Sequence, residues 1–117
     1  MNHVTAYKDD QMMASIAQGP VSITIAADAD AFMNYSSGVL TDAQCKRDSI
    51  FPYKLDHAVT AVGYGNDEAS GLDYYLVRNS WGSSWGDAGY VKLERMMKDS
   101  SKGTCGMLKI SNWPSTN

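Results

Sequence analysis

The sequence of 117 residues has 44% hydrophobic residues and a net charge of −3, which is typical of one globular domain or part of one. Its 10 Lys and Arg are interleaved with 13 Asp and Glu and form no basic cluster, so we expect no nucleic-acid partner. The longest nearly apolar run, residues 21–27, is too short to cross a bilayer, and no signal-like segment follows Met1, so we expect no membrane association.

The first half of the chain predicts short elements joined by turns. Residues 9–18 place apolar side chains at helical spacing behind an acidic pair, which predicts a helix. Residues 21–27 alternate apolar and polar side chains, the period of a half-buried strand. Residues 28–35 predict a short helical turn, and residues 36–55 a long irregular connection.

The second half predicts antiparallel strands. Residues 57–64 and 73–78 have strand composition, and the polar segment 65–71 between them predicts the turn of a hairpin. A further strand is expected over residues 90–94. The chain is therefore predicted to be one α+β unit, mainly antiparallel β with short helices.

The predicted hairpin brings a histidine and an asparagine together. A turn centred on Glu68 places His57 opposite Asn79. An imidazole titrates near neutral pH and an amide oxygen can accept its ring N–H, which is the arrangement that nucleophile activation requires. The alternative is that His57 is a surface histidine and Asn79 a turn residue, and the pairing alone leaves both interpretations open.

The two cysteines, Cys45 and Cys105, lie sixty positions apart, which fits neither a zinc motif nor a redox C-x-x-C pair. They form either one disulfide that closes a large loop or two separate buried thiols. Because His3 and His57 are the only histidines, we expect no metal site.

Two longer segments resemble the papain-like cysteine proteases, in particular the cathepsin L-like members. Residues 55–65 (LDHAVTAVGYG) are similar to the histidine-bearing segment of that family, and residues 79–90 (NSWGSSWGDAGY) to its asparagine-bearing segment. The GPVSI segment at 19–23 and the Cys105-Gly106 pair add to the resemblance. It implies that residues 1–117 form the C-terminal, right-hand half of the fold, a barrel-like antiparallel sheet that lines one wall of the active-site cleft.

The resemblance also implies the chemistry. His57 would be the general base and acid beside a cysteine thiolate, Asn79 would orient it, and Trp81 would shield their hydrogen bond. Cys45 and Cys105 match the positions that the family joins as a disulfide. The family's nucleophile motif and its upstream glutamine do not occur in this sequence, so we expect a cysteine-type endopeptidase whose cysteine lies on the N-terminal half, and no turnover by this chain alone.

Further positions match the substrate-binding walls of the family. The pocket for the second residue before the scissile bond would be lined by Thr24, Leu55, Ala58 and Ile110, and Ile110 at its base implies a preference for apolar side chains. Asp56 either tunes the titration of the adjacent histidine or is a solvated turn acid. The primed side would include Met33 and Ala27. Trp85 either packs within the domain or borders the primed side, and Trp81 is also compatible with an ordinary core aromatic.

The resemblance implies partners as well: the N-terminal half of the protease, polypeptide substrates, and cystatin-type or propeptide inhibitors. It implies a lysosomal, vacuolar or secreted location and no cofactor. Two other functions stay open, a noncatalytic papain-like binding module and a silicatein-like homologue with serine as the nucleophile. The sequon Asn34-Tyr35-Ser36 is a potential glycan acceptor in a secreted protein.

Overall fold

The computed structural model describes residues 2–3, 9–26, 30–48, 57–95, 103–107 and 111–113. Within these ranges the elements, in chain order, are β1 (Asn2–His3), α1 (Asp9–Gln18), β2 (Val21–Ile25), α2 (Asp30–Met33), β3 (Val39–Leu40), α3 (Asp42–Asp48), β4 (His57–Asp67), β5 (Leu72–Arg78), β6 (Tyr90–Glu94), a 3-10 turn (Thr104–Gly106) and β7 (Ser111–Trp113). No helix in the described part of the chain is long and apolar enough to cross a bilayer.

The strands form one sheet in the order β1-β7-β2-β4-β5-β6-β3. All neighbouring strands run antiparallel except β3 and β6, which are parallel. This confirms the α+β class with mainly antiparallel strands. The sheet is open, however, whereas a barrel-like sheet was predicted. The two edge strands among the described residues, β1 and β3, have two residues each and do not pair with one another.

One hydrophobic core covers one face of this sheet. Alternate residues of the four central strands are buried: Val21, Ile23, Ile25, Val59, Ala61, Tyr75, Val77, Val91 and Leu93. Side chains from the helices and the 3-10 turn complete the same cluster: Met12, Ile16, Phe32, Cys45, Cys105 and Met107. The residues between them on each strand lie on the other face and are mostly more exposed.

The predicted helix over residues 9–18 is confirmed as α1. Its first residue, Asp9, is buried and accepts a hydrogen bond from the hydroxyl of Tyr75 on β5. The helix is thereby fixed to the middle of the sheet by a polar contact as well as by its apolar side chains. The strand predicted for 21–27 ends at Ile25, and the helical turn predicted for 28–35 is confined to α2.

The prediction of an irregular connection over residues 36–55 is wrong for its first part, which contains β3 and α3. A capping box begins α3. The backbone N–H of Thr41 donates to Gln44 Oε1 at 2.9 Å, and the backbone N–H of Gln44 donates to Thr41 Oγ1 at 3.2 Å. Reciprocal capping of this kind satisfies two donors that a helix start would otherwise leave unpaired.

The predicted disulfide between Cys45 and Cys105 is confirmed, with Cα atoms 5.5 Å apart. Both cysteines are fully buried, and the bridge joins α3 to the 3-10 turn. Cys45 therefore lies in a helix and not in the irregular connection that the sequence predicted. A bridge across sixty positions is expected to stabilise the fold by about 4 kcal/mol through chain entropy.

The β4–β5 hairpin is confirmed, but its predicted register is wrong. The strands continue to Asp67 and Leu72, so the turn is shorter than predicted, and Val62 is an extra residue in β4 where the register shifts. Pairing ends at Thr60 opposite Arg78. Asn79 therefore follows in line with residue 59, two positions from the predicted partner, His57. Because side chains alternate with a period of two, both residues still face the same side of the sheet.

Candidate active site

His57 and Asn79 are placed by the ends of two adjacent strands. His57 is the first residue of β4, where its backbone pairs with Ile25 of β2. Asn79 directly follows β5, is only 6% exposed, and donates its backbone N–H to the carbonyl of Gly89 at 3.0 Å. That bond closes the loop between β5 and β6. The backbone therefore holds the asparagine in place, while His57 remains partly exposed.

The two side chains are hydrogen-bonded, with His57 Nε2 and Asn79 Oδ1 2.7 Å apart. The same oxygen accepts the backbone N–H of Ser80, also at 2.7 Å. A backbone N–H can only donate, so the amide atom facing both groups is the oxygen. The oxygen in turn requires that His57 carries a proton on Nε2. In the neutral ring, Nδ1 is then left as the acceptor.

Aromatic side chains surround this pair. The Trp81 ring lies over the imidazole at a tilt, with centroids 4.9 Å apart and an interplanar angle of 36°. Phe32 of α2 is fully buried and meets Trp81 and His57 edge to face, at 5.5 and 6.4 Å. Such contacts exclude water on one side of the imidazole and restrict its rotation. Trp81 is itself 42% exposed, so its outer surface faces solvent.

Trp85 extends this cluster toward α2. Its ring packs against Phe32 at 4.9 Å and against Tyr35 at 6.0 Å, and its indole N–H donates to the Met33 carbonyl at 3.1 Å. Trp85 is thus a packing residue that joins the β5–β6 loop to α2, in agreement with the packing alternative. Its predicted role on the primed side, like that of the exposed Met33, stays a prediction.

A glycine sets the path of the β5–β6 loop. Gly86 has a φ of +61°, and a Cβ there would lie 2.7 Å from the backbone oxygen of Tyr90. Any larger residue would meet both a strained backbone conformation and a clash with the start of β6. The loop geometry that positions Trp81 and Trp85 therefore depends on a residue without a side chain.

Two of the predicted substrate-pocket residues are neighbours in the sheet. Thr24 on β2 and Ala58 on β4 pair directly, one position beyond Ile25 and His57. Because strand side chains alternate, both lie on the opposite face of the sheet from the imidazole. A depression on the sheet is lined by Ser22, Ala58, Val59, Thr60, Arg78, Asn79 and Ser80, most of which lie on the same face as Thr24. Leu55, Asp56, Ile110 and Ala27 lie outside the described residues.

One side-chain atom of the site has no hydrogen-bond partner within the described part of the chain. Asn79 Nδ2 is buried without a hydrogen bond among the residues that the structure describes. An amide in this environment uses only its oxygen, since Oδ1 accepts both available donors. This asymmetry makes the oxygen the functional end of Asn79. Within the described ranges, no group of three or more His, Cys, Asp or Glu could hold a metal ion.

Reasoning from sequence missed Phe32 and Ser80. Phe32 is the buried member of the aromatic cluster, and the four-residue helix α2 is too short to give a signal in the periodicity of the chain. Ser80 contributes a backbone group, which no side-chain motif reveals. The neighbourhood of Tyr35 was also unforeseen. Its hydroxyl donates to the Gly38 carbonyl at 2.6 Å, and burial raises the pKa of its phenol above the ordinary value.

The fold and this site together define a class of protein. The sequence model of the papain family cysteine proteases matches residues 1–114, and the chain belongs to that family. The probable cysteine protease RD21C of Arabidopsis thaliana is 44% identical over 106 residues, which cover 91% of this chain and 21% of that protein. Cathepsin L of Sarcophaga peregrina is 41% identical over 107 residues, covering 91% of this chain and 29% of that protein.

Solved structures show the same similarity. The bromelain protease of Ananas comosus, in complex with the E64 inhibitor, superposes with a TM-score of 0.82 and 34% identity over 98% of this chain and 49% of that one. The cysteine protease CMS1MS2 of Carica candamarcensis, also in complex with E-64, gives a TM-score of 0.77 at 36% identity. The chain thus spans about half of these structures and less than a third of the curated relatives it matches.

Proposed function

We propose that this chain supplies the histidine and asparagine half of a cysteine-type endopeptidase site, with the nucleophilic cysteine on an N-terminal half of the same protease. The observation that carries the proposal is the bond from His57 Nε2–H to Asn79 Oδ1. That bond leaves Nδ1 as the ring atom able to take a proton from a thiol. Family membership, and superposition of this chain on only half of bromelain, support a second half that carries the cysteine.

In the proposed reaction, His57 Nδ1 accepts the proton of the cysteine thiol, and the thiolate attacks the peptide carbonyl carbon. The imidazolium then gives that proton to the departing amine, which leaves a thioacyl-enzyme. Water attacks the thioester while Nδ1 again takes a proton, and the acid product leaves as the thiol is restored. Throughout, Asn79 holds the ring by Nε2, and as a neutral acceptor it adds no charge beside the ion pair.

We further propose that Trp81 shields the bond between His57 and Asn79. Its ring covers the imidazole, and a hydrogen bond protected from water contributes more than an exposed one. Thr24 and Ala58 are proposed as walls of the substrate pocket, together with Leu55, Asp56 and Ile110. Polypeptides are the proposed substrates, and cystatin-type or propeptide inhibitors the proposed regulators. The disulfide is typical of an oxidising compartment, which supports a lysosomal, vacuolar or secreted location.

The test is reconstitution with the preceding cysteine-bearing half. We expect the assembled enzyme to hydrolyse a fluorogenic peptide and its cysteine to be labelled by E-64, whereas this chain alone gives no turnover. His57→Ala should abolish hydrolysis, and Glu68→Ala in the exposed hairpin turn should not. Turnover by the chain alone, or an assembled enzyme that E-64 does not label, would refute the proposal. A serine at the nucleophile position would favour the silicatein-like alternative.

A further inference from the structure

The sequence contains one N-x-Ser/Thr sequon, Asn34-Tyr35-Ser36, directly after α2. The backbone N–H of Asn34 donates to the carbonyl of Asp30 at 2.9 Å, and the helix ends there. The sequon therefore begins at the end of a helical turn, where the Tyr35 backbone N–H also donates to the Phe32 carbonyl at 3.2 Å, and it continues into a loop. At the end of a helical turn, consecutive side chains point in different directions, some toward solvent and some toward the core.

The three residues of the sequon alternate between solvent and core. Asn34 and Ser36 are exposed, whereas Tyr35 is only 8% exposed. The Tyr35 hydroxyl donates to the Gly38 carbonyl and accepts the Lys92 backbone N–H at 3.3 Å. The central residue thus anchors the loop to β6, and the flanking amide and hydroxyl are held outward on a fixed segment.

There is also room beside the acceptor. The Asn34 side chain makes no hydrogen bond within the described structure, and it borders an open depression lined by small and polar residues, among them Asp30, Ser36, Ser37 and Gln44. A sugar attached at Asn34 would meet solvent and polar groups and would displace no core side chain.

Glycosylation also requires that the protein mature in a suitable compartment, and the disulfide indicates such a compartment. Cys45 lies in α3, which follows the sequon, and its bridge to Cys105 is typical of proteins that mature in an oxidising environment. In eukaryotes the secretory pathway both forms such bonds and attaches glycans to sequons. Bridge formation and exposure of the sequon are independent observations, and they indicate the same route of maturation.

We propose that Asn34 is an N-glycosylation site. The modification joins Asn34 Nδ2 to the anomeric carbon of an N-acetylglucosamine that is delivered on a lipid-diphosphate carrier. The bond from that carbon to the carrier phosphate breaks, and the amide proton leaves with the carrier. The glycan begins between Met33, whose carbonyl binds Trp85, and Tyr35, and so extends from the edge of the aromatic cluster.

The test uses the full-length protein secreted from eukaryotic cells, with peptide mass spectrometry before and after N-glycosidase treatment. We expect the peptide that contains Asn34 to carry a glycan, and the glycosidase to leave aspartate at that position. Asn34→Gln and Ser36→Ala should each abolish the modification. Ser36→Thr, which preserves the sequon, and Ser37→Ala, the matched control on the same loop, should both retain it.

Unmodified Asn34 in the secreted wild-type protein would overturn the proposal, as would a glycan that persists in Ser36→Ala. Two variants that destroy the sequon are used in case one of them misfolds. Ser36→Ala is the milder change, because it removes only an exposed hydroxyl. The readout is independent of proteolysis, so failure here leaves the proposed peptidase function standing, and failure of hydrolysis leaves this site standing.

Discussion

Replacing Asn79 by Ala removes the oxygen that accepts both His57 Nε2–H and the Ser80 backbone N–H, each at 2.7 Å. The imidazole then loses its only hydrogen-bonding restraint in the described structure, and Trp81 and Phe32 alone limit its rotation. We therefore expect the variant to retain the fold and to lose most of the alignment on which proton transfer depends.

The magnitude follows from the charge on the ring. A hydrogen bond to a charged group contributes about 1.5 to 3 kcal/mol, and His57 is charged when the thiolate attacks. Since about 1.4 kcal/mol corresponds to a factor of ten in rate, kcat/KM should fall roughly 10- to 150-fold. The variant should also be less stable. Because the Ser80 backbone N–H loses its acceptor, the free energy of unfolding should fall by about 1 kcal/mol.

The assay is kcat/KM of the assembled enzyme with a fluorogenic peptide, together with urea unfolding of each variant. Asn79→Asp distinguishes orientation from general damage. It keeps an accepting oxygen for His57 Nε2–H, but it places a second oxygen at the buried Nδ2 position and adds a negative charge beside the imidazolium. Asp should therefore restore only part of the rate that Ala loses. Asn66→Ala is the matched control, since its side chain also makes hydrogen bonds but lies at the far end of the hairpin.

The reasoning would be refuted by a loss of kcat/KM in Asn79→Ala that is no larger than that in Asn66→Ala.

Trp81→Ala should lower kcat/KM about 2- to 13-fold, because the ring that covers the imidazole is lost and an aromatic contact contributes about 0.5 to 1.5 kcal/mol. Tyr64→Ala, which removes an aromatic side chain of similar exposure, 43% against 42% for Trp81, should leave kcat/KM unchanged. Equal rates for the two variants would contradict the shielding role. Gly86→Ala should lower the free energy of unfolding by about 2 to 5 kcal/mol in urea titration, since it adds a clash to backbone strain. Gly71→Ala, with a φ of +75° and open space around the Cβ, should cost only the strain, about 1 to 2 kcal/mol, and equal losses would show that the clash is relieved.

Elements with strong periodicity were predictable from the sequence. The helix over 9–18 and the strand over 90–94 have the bounds that their apolar spacing predicts, because nothing in the tertiary structure competes with the local pattern. The segment 36–55 was harder. Its helix is too short to show a periodic face, and the signal that was present, Thr41 followed three residues later by Gln44, is a capping box. The parallel pairing of β3 with β6 is a long-range contact with no local signature.

For the site, the sequence motifs identified His57 and Asn79, whereas the details of their contact came only from the structure. The pairing of His57 with Asn79 was expected from a direct cross-strand register, yet the contact is diagonal and is made by side chains that reach across two positions. The tautomer of His57 follows only from the position of the Ser80 backbone N–H. Phe32 could not be predicted from the sequence, because its contribution comes from packing between elements that are distant in sequence.

The extra residue Val62 in β4 separates the hairpin into two independent segments. Beyond it, the strands and the turn at 68–71 extend away from His57 and Asn79, so the tip can lengthen or shorten by whole residue pairs without moving either side chain. Before it, deletion of a single residue would exchange the two faces of β4 and turn His57 away from Asn79. Evolution of this hairpin should therefore concentrate insertions at its tip and leave the chain length between Val62 and His57 unchanged.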